Sequence, residues 1–280
     1  MTSRAALVAL HAAVALFGFA ALFGKWLPLP ATAIVLGRTI VAAGTLAIIV
    51  TARGGRVGRP DTALALNGAI LALHWVTFFA SVQVSTVAVG LLGYASFPLF
   101  VLLLERRDAA QRSKRVDALL ALIAMAGLVT LVPGVDASGS TIRGLALGIV
   151  SGFTFALLSV RSHAMVKRVS PSRIALWQNG FAAACLVPVA IVEGAIVVPA
   201  ASEIGLLLLL GVVCTGVAHT LFIASMQRVG AHTASVVAAL EPVYGIVLAI
   251  PLLGEVPTTR TVIGGTLIVV AAVIASRRSR

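Results

Sequence analysis

The sequence is a succession of apolar runs, each about as long as a helix that crosses a membrane. Turn residues and charges separate ten runs, which we predict as helices: 5–24, 31–52, 62–82, 86–104, 116–132, 142–160, 172–192, 203–226, 230–252 and 260–276. A helix of about 20 apolar residues spans the hydrocarbon core of a bilayer. Of the 280 residues 60% are hydrophobic and 11% are charged, whereas soluble domains have about a quarter charged. The sequence therefore predicts an all-α integral membrane protein with ten transmembrane helices.

The basic residues indicate which ends of these helices face the cytoplasm. Seventeen of the 21 lysines and arginines fall on one side if successive runs cross the membrane. The other side has Lys25, Arg143 and Arg260, and Arg38 lies within the second run. Because Lys and Arg are enriched in cytoplasmic loops, both termini are predicted to be cytoplasmic. The same clusters argue against nucleic acid as a partner despite the net charge of +12, since they form no stripe on a soluble fold.

A weak internal repeat divides the chain into two halves. A shift of 144 residues gives six matches without a gap between positions 74 and 100: Phe78 with Phe222, Ala80 with Ala224, Ser81 with Ser225, Gln83 with Gln227, Ala95 with Ala239 and Pro98 with Pro242. The shift maps helices three and four onto helices eight and nine. Residues 1–134 and 135–280 would then form five-helix repeats, with the second inverted in the membrane because five is odd. Such repeats, with a solute site near the midplane, are common in secondary transporters.

Glu241 is the one carboxylate in the long apolar run from Thr233 to Leu253, and it directly precedes a proline. If helix nine begins near residue 230, Glu241 lies roughly 16 Å along it, where a charge costs about 2.5 to 3.5 kcal/mol to insert. Tyr244 lies three residues further on the same face. Two interpretations remain open: a carboxylate that contacts a solute amine or carries a coupling proton, or a hydrogen-bonded carboxyl that joins two helices.

Aromatic and histidine side chains concentrate in predicted helices three, four, six and eight. We expect them, with Glu241 and Tyr244, to line a shared cavity that suits a neutral or zwitterionic solute with an apolar part. The candidate residues are His74, Trp75, Phe78, Tyr94, Phe97, Phe153, His219 and Phe222. Any one of these side chains alone is more often a packing residue than a ligand.

Three further residues are candidates for a hinge or a gate. Pro98 and Pro242 each remove a hydrogen bond from the middle of a helix, so a kink is expected at both. Arg38 lies roughly 10 Å inside the second helix. It is either an interfacial or packing cation, or part of an outer gate or the partner of a carboxylate.

Helix six contains a stripe of small residues. Gly144, Gly148 and Gly152 recur at a spacing of four and therefore share one face. Such a stripe predicts that another helix approaches this face closely.

Several of these residues together resemble a known family. Leu240 to Val243, Leu253 to Glu255 and Gly264-Gly265 are similar to the second half of the ten-helix EamA-type members of the drug/metabolite transporter superfamily. Phe17-Gly18 and Arg38 look like the corresponding positions of the first half. The resemblance covers the whole chain in length, helix count and repeat. The first half departs from the pattern, because the segment before its proline has no acidic residue.

The resemblance implies a protein of the bacterial cytoplasmic (inner) membrane that exports small metabolites without a cofactor or metal. The group that it resembles is the bacterial YddG-type exporters of aromatic and other neutral amino acids. We therefore expect secondary-active or facilitative export by alternating access, with protons as a possible coupling ion. An exporter of drugs or amines, a channel and a non-transporting membrane subunit are the alternatives. The sequence has no GxxxxGK[ST], HExxH or GxSxG motif, so neither ATP hydrolysis nor an intramembrane enzyme is predicted.

Overall fold

A computed structural model describes residues 2–104, 114–131, 139–254, 256 and 258–278. Within these residues the chain forms α-helices and one π-helical turn, and no strand. The predicted boundary between the halves, at residues 134 and 135, and Glu255 lie outside the described residues. The prediction of an all-α membrane protein is confirmed.

The helices in chain order are α1 Ser3–Trp26, α2 Ala31–Ala52, α3 Thr62–Val84, α4 Val87–Tyr94, α5 Phe97–Leu104, α6 Lys114–Leu131, α7 Gly139–Met165, α8 Pro171–Val192, α9 Ala201–Gly211, the π-helical turn Val212–Val217, α10 Ala218–Ala238, α11 Glu241–Leu253 and α12 Thr259–Arg278. Six described segments are long and apolar enough to span a bilayer, and the longest runs through the π-helical turn from Ala201 to Ala231. The number of ten spans stays a prediction.

Local sequence explains where several helices begin and bend. The Asp61 carboxylate accepts a hydrogen bond from the backbone N–H of Leu64 at 2.8 Å and so caps the N-terminus of α3. Gly230 has φ 75° and ψ 167°, a conformation that needs glycine, and it divides α10 by a kink. The residues before Gly230 correspond to the end of predicted helix eight, and those after it begin predicted helix nine.

The helices pack in pairs that match between the two halves. Under the predicted correspondence, helix one maps onto six, three onto eight and four onto nine. The contact of α3 with α7 is then equivalent to that of α10 with α1, and both pairs are in contact. The contact of α4 with α7 is likewise matched by that of α11 with α1, while α2 packs on α8 and α6 on α12. These contacts are the ones that the predicted internal repeat would give, and the division into two halves stays a prediction.

Matched glutamines lie at opposite ends of the bundle. Gln83, near the end of α3, donates its side-chain amide to the carbonyl of Leu29 at 2.8 Å, between α1 and α2. Gln227 in α10, which the shift of 144 residues pairs with Gln83, donates to the carbonyl of Val166 at 3.3 Å, between α7 and α8. The first contact lies at the end of the bundle predicted to be outer, and the second at the end predicted to be cytoplasmic. Each glutamine thus ties its helix to the loop that follows the first helix of its predicted half.

The small-residue stripe on α7 has the predicted close neighbour. A Cβ atom on Gly148 would lie 2.8 Å from the Cα atom of Gly93 in α4. A Cβ atom on Gly152 would lie 2.8 Å from the carbonyl oxygen of Tyr94, at the end of α4. The backbones of α4 and α7 are therefore in direct contact, and this contact fixes the end of α4.

Candidate functional site

Two helices of the bundle are broken at equivalent points. The first break separates α4 from α5, and the second separates α10 from α11. Three backbone hydrogen bonds recur 144 residues later. At the first break they run from Ala95 N to Leu91 O, from Ser96 N to Gly93 O and from Leu99 N to Ser96 O. At the second break the equivalent bonds run from Ala239 N to Ser235 O, from Leu240 N to Val237 O and from Val243 N to Leu240 O. Pro98 and Pro242 are each the second residue of the helix that follows, where a missing N–H leaves no bond unmade. Each run is broken just before its proline, where a kink was expected, but neither proline removes a hydrogen bond from the middle of a helix.

Glu241 lies at the second break and is buried, with 4% of its surface exposed. The hydroxyl of Tyr94, the last residue of α4, hydrogen-bonds to its carboxyl. Glu241 Oε2 has no hydrogen-bond partner among the described residues. The two breaks therefore meet through one tyrosine and one carboxyl group, and half of that carboxyl group remains available to a ligand.

Phe97 is the residue that the repeat places opposite Glu241. Its ring stacks on the ring of Tyr94, with the ring centres 5.1 Å apart. Tyr94 is thus held by an aromatic ring from the first break and by a carboxyl group from the second. The difference between the two positions puts an ionisable group on one side of Tyr94 only.

Arg38 is buried inside the protein, with 2% of its surface exposed, and does not extend to the surface of the bundle. Its Nε donates a hydrogen bond to Thr215 Oγ1 at 2.8 Å, and its Nη2 lies 3.5 Å from the carbonyl oxygen of Cys214. Its guanidinium carbon lies 4.1 Å from the centre of the Trp75 ring, a cation–π contact. Arg38 therefore joins α2 to α3 and to the π-helical turn.

The π-helical turn provides the partners of Arg38. Thr215 Oγ1 donates to the carbonyl oxygen of Leu210 at 2.7 Å, five residues earlier, and accepts from Arg38. Cys214 supplies its backbone carbonyl. Bonds from residue i to i+5 widen this turn relative to an α-helix, and such turns often occur at functional sites. The second cysteine, Cys185, lies exposed on α8, so the structure gives no disulfide.

These residues enclose a central cavity. Its wall comes from α1, α2, α3, α4, α7, α10 and α11: Phe17, Ala20, Arg38, Leu71, His74, Trp75, Phe78, Tyr94, Phe155, His219 and Glu241. The volume open to the centres of water molecules is about 20 Å³. That is room for roughly one or two waters. The space is therefore too small for a larger solute, which needs the wall to move.

The cavity holds two histidines in different environments. His74 Nδ1 lies 2.8 Å from Ser151 Oγ and 3.0 Å from the Ser151 carbonyl oxygen. His219 Nδ1 is buried and has no hydrogen-bond partner in the described part of the chain. The ring of His219 meets Trp75 edge to face, with the ring centres 5.7 Å apart. His74 is fixed by α7, whereas His219 and Glu241 each have a polar atom that finds no partner within the described ranges.

Six of the ten residues predicted to bind substrate line the cavity, and four lie elsewhere. Phe153 is 43% exposed and packs against Phe100, because Phe153 and Phe155 are two residues apart in a helix and face different ways. Tyr244 turns toward α1, where its hydroxyl lies 3.3 Å from His11 Nδ1. Phe97 and Phe222 are buried behind the wall, in contact with Phe155.

Four residues of the wall were missing from the predicted set: Phe17, Ala20, Leu71 and Phe155. Helical spacing carried a signal for three of them. Phe17 and Ala20 are three residues apart, and Leu71 lies three, four and seven residues before His74, Trp75 and Phe78. Arg38, predicted as a gate, also belongs to the wall.

Comparison with known proteins identifies the family. A model described as the EamA-like transporter family matches residues 142–277. An uncharacterized transporter of Archaeoglobus fulgidus is 30% identical over 224 residues, which cover 79% of this chain and 78% of that protein. The pseudopaline exporter CntI of Pseudomonas aeruginosa is 27% identical over 259 residues, covering 90% and 88%.

A solved crystal structure shares the whole fold. It has a TM-score of 0.79 and 21% identity, and the match covers 99% of this chain and 98% of the other. The family model and the relatives agree with the six membrane-length helices and with the resemblance of the sequence to EamA-type transporters. The chain belongs to the EamA-like transporter family of membrane transporters.

Proposed function

We propose that this transporter exports a zwitterionic small metabolite, such as an aromatic or other neutral amino acid, by alternating access. The observation that carries the proposal is the central cavity, where Glu241 Oε2 has no partner among the described residues and Arg38 lies in the same wall. An ammonium group pairs with a carboxylate, and a carboxylate group pairs with a guanidinium. A zwitterion provides both groups in one molecule.

The rest of the wall suits the apolar part of such a solute. Trp75, Phe78 and Phe155 are buried aromatic residues, and Phe17 packs against Phe155 at 6.5 Å between ring centres. Ligand sites commonly combine mostly apolar walls with a few placed polar groups. This composition favours a solute with a hydrophobic side chain over a sugar or a nucleotide.

The small size of the cavity and the position of the breaks support alternating access. The space holds only about one or two waters, so the wall has to separate when a solute enters or leaves. Both broken helices bend at this wall, and each belongs to one of the proposed halves, 1–134 and 135–280. Movement of one half relative to the other would open the cavity to one side at a time.

Export and proton coupling are the finer parts of the proposal. The pseudopaline exporter CntI, which matches 90% of this chain, is by its name an exporter, and this favours outward transport here. A carboxyl group in the cavity can hold a proton when no ammonium is bound, so Glu241 is the residue through which protons would be exchanged. We propose the cytoplasmic membrane of a bacterium as the location, with both termini in the cytoplasm.

An exporter of amines is the second candidate. It is favoured by the hydrogen bonds of Arg38, because Thr215 and the Cys214 carbonyl already occupy part of its guanidinium group. A solute that lacked a carboxylate would then use Glu241 and the aromatic wall alone, with cation–π contacts to the rings.

Three related probes separate these candidates. Thermal unfolding of the detergent-solubilised protein is measured with phenylalanine, phenethylamine and 3-phenylpropanoate, because a ligand stabilises the form that it binds. Stabilisation by phenylalanine above both analogues, followed by its flux in proteoliposomes, supports amino acid export. Phenethylamine as the best ligand supports the amine exporter instead. No stabilisation and no flux of any amino acid or amine would contradict both.

A further inference from the structure

A second buried polar cluster lies away from the central cavity, where α3, α7 and α8 meet. Gln178 donates its side-chain amide to Ser162 Oγ at 2.9 Å, and Arg161 Nε donates to Asn67 Oδ1 at 2.6 Å. Gln178 and Asn67 are fully buried, and Arg161 is half-buried. We call Asn67, Arg161, Ser162 and Gln178 the inner cluster. None of them lines the central cavity.

Gln178 occupies the position in its half that Arg38 occupies in the other. Arg38 is the eighth residue of α2, and Gln178 is the eighth residue of α8. Each therefore lies roughly 10 Å from the start of its helix. Because the predicted orientation has α2 begin on the outer side and α8 on the cytoplasmic side, the two residues lie at opposite ends of the path.

Close helix crossings support this equivalence. A Cβ atom on Gly211 would meet the Cβ atom of Val41 and, at 3.1 Å, the carbonyl oxygen of Arg38. A Cβ atom on Gly68 would meet the Cβ atom of Phe181 and, at 2.9 Å, the carbonyl oxygen of Gln178. Val41 and Phe181 each lie three residues after the polar residue. The crossing of α2 with α9 and that of α8 with α3 therefore use the same contacts.

The π-helical turn is where the two crossings differ. Gly68 and Gly211 are 143 residues apart, whereas Gln83 and Gln227, beyond the turn, are 144 apart. A turn with bonds from residue i to i+5 contains one residue more than an α-helical turn, which accounts for the difference. The turn supplies both Thr215 and Cys214 to Arg38. Helix α3, which is equivalent to the helix with the π-helical turn, has no such turn. The residue of α8 that is equivalent to Arg38 is the uncharged Gln178.

The inner cluster is buried with an unmade hydrogen bond. Gln178 Oε1 has no partner in the part of the chain that the structure describes, and neither has Oδ1 of the adjacent Asn179. A buried polar atom without a partner costs roughly 1 to 3 kcal/mol, which water would recover on entry. Opening breaks hydrogen bonds on either side, but at the inner cluster water also recovers the cost of the unpaired Gln178 Oε1.

We propose that the inner cluster is the cytoplasmic gate of the transport path. It is closed in this structure, it opens to water when the cavity faces the cytoplasm, and the contact of Arg38 with the π-helical turn closes the outer side. The assignment rests on the proposed alternating access and on the predicted orientation. It gives Gln178 and Arg161 a role apart from the residues that bind solute.

Cysteine labelling from each side of the membrane tests the gate. Ser162→Cys and its outer counterpart Thr215→Cys are made after Cys185 and Cys214 have been replaced by alanine. A membrane-impermeant maleimide is applied to inside-out and to right-side-out vesicles. We expect Ser162→Cys to react from the cytoplasmic face and Thr215→Cys from the outer face. Reaction of Ser162→Cys from the outer face, or from neither face, would overturn the proposal.

A second variant separates a gate from a merely structural cluster. Gln178→Leu removes the unpaired amide oxygen and also the amide N–H that donates to residue 162. It should slow cytoplasmic labelling of Ser162→Cys several-fold if water entry at the oxygen favours opening, whereas a merely structural cluster would be loosened and labelled faster. Equal labelling rates with and without Gln178→Leu would contradict the assignment. If Ser162→Cys does not fold, Ser159→Cys, one turn away on α7 and also buried, reports on the same path.

The labelling needs no solute, so its outcome is separate from that of the proposed function. If Ser162→Cys reacts from the cytoplasm and Thr215→Cys from outside, but no amino acid or amine is transported, the gate is supported and the proposed solute is contradicted. Flux of phenylalanine with Ser162→Cys unreactive from the cytoplasm would uphold the solute and reject the gate.

Discussion

The two broken helices have the same backbone and different chemistry. Each break is made by the same three hydrogen bonds and is followed by a proline. Each also has a glycine of another helix against it, Gly152 at the first and Gly18 at the second. At the position after the break, however, one helix has Phe97 and the other has Glu241. The bend is therefore a common feature of both broken helices, whereas the ionisable group is present at only one of the two breaks.

The largest expected effect comes from filling the space beside either break. A Cβ atom on Gly18 would lie 2.7 Å from the backbone nitrogen of Gly245 and 2.9 Å from the carbonyl oxygen of Glu241. Backbone atoms cannot rotate away, so we expect Gly18→Val to cost about 3 kcal/mol or more in the free energy of unfolding. Gly152→Val should do the same at the first break.

The measurement is the yield of monodisperse protein and its temperature of unfolding in detergent. Gly44→Ala is the matched control, since no atom lies within 4 Å of a Cβ there. If Gly18→Val and Gly44→Ala unfold at the same temperature, the close contact at the second break is not as described.

The next effect in size is expected at Arg38. Replacement by methionine removes the hydrogen bond to Thr215 and the contact with Trp75. It also removes the proposed hydrogen bond from the guanidinium to the solute carboxylate; losing a hydrogen bond to a charged group costs about 1.5 to 3 kcal/mol, so phenylalanine affinity should fall by about tenfold or more. Lysine should not restore it, because it lacks the planar guanidinium that stacks on a ring. Affinity is measured by tryptophan fluorescence or calorimetry, and an Arg38→Lys protein with wild-type affinity would contradict this role.

A smaller effect is expected at Tyr94, the residue shared by both breaks. Tyr94→Phe keeps the stacking on Phe97 and loses the hydrogen bond to Glu241. This bond orients the carboxyl group that is proposed to hold the solute ammonium, and a hydrogen bond contributes about 0.5 to 1.5 kcal/mol, so a loss of affinity of up to about tenfold is expected. Phe97→Leu is the complementary variant and should lower stability more than affinity. The reverse pattern would show that the hydroxyl is structural.

The smallest effect distinguishes two neighbouring phenylalanines on α7. Phe153 is 43% exposed on the surface of the bundle, whereas Phe155 lines the cavity. Phe153→Leu should leave transport within about twofold of the wild type, while Phe155→Leu should weaken binding, since its aromatic contacts contribute roughly 0.5 to 1.5 kcal/mol each. Flux in proteoliposomes measures both variants. Equal losses would place the solute path on the other face of α7.

Much of the fold could be predicted from the sequence because helix length and hydrophobicity act locally. The bounds of α2, α3 and α8 agree with the predicted runs within a few residues. The repeat was weak at the level of residue identity, since apolar side chains exchange freely in a membrane helix. It is much clearer in the backbone hydrogen bonds, which do not depend on the identity of the side chain.

The site could be predicted only in part, because its contacts join residues far apart in the chain. Glu241, His74 and Tyr94 lie in the cavity as expected. The partner of Arg38 could not be foreseen, since Thr215 lies 177 residues away and its position depends on the π-helical turn. Nor could the sequence decide between Phe153 and Phe155, because the rotation of α7 is set by its glycine contact with α4.

The central claim is that Glu241 gives this transporter its solute and proton chemistry. It is tested by the flux of labelled phenylalanine in proteoliposomes, with and without an imposed pH gradient, for the wild type, Glu241→Gln and Phe97→Leu. We expect Glu241→Gln to lose the dependence on the pH gradient and Phe97→Leu to retain it. A Glu241→Gln protein whose flux responds to the gradient as the wild type does would contradict the account.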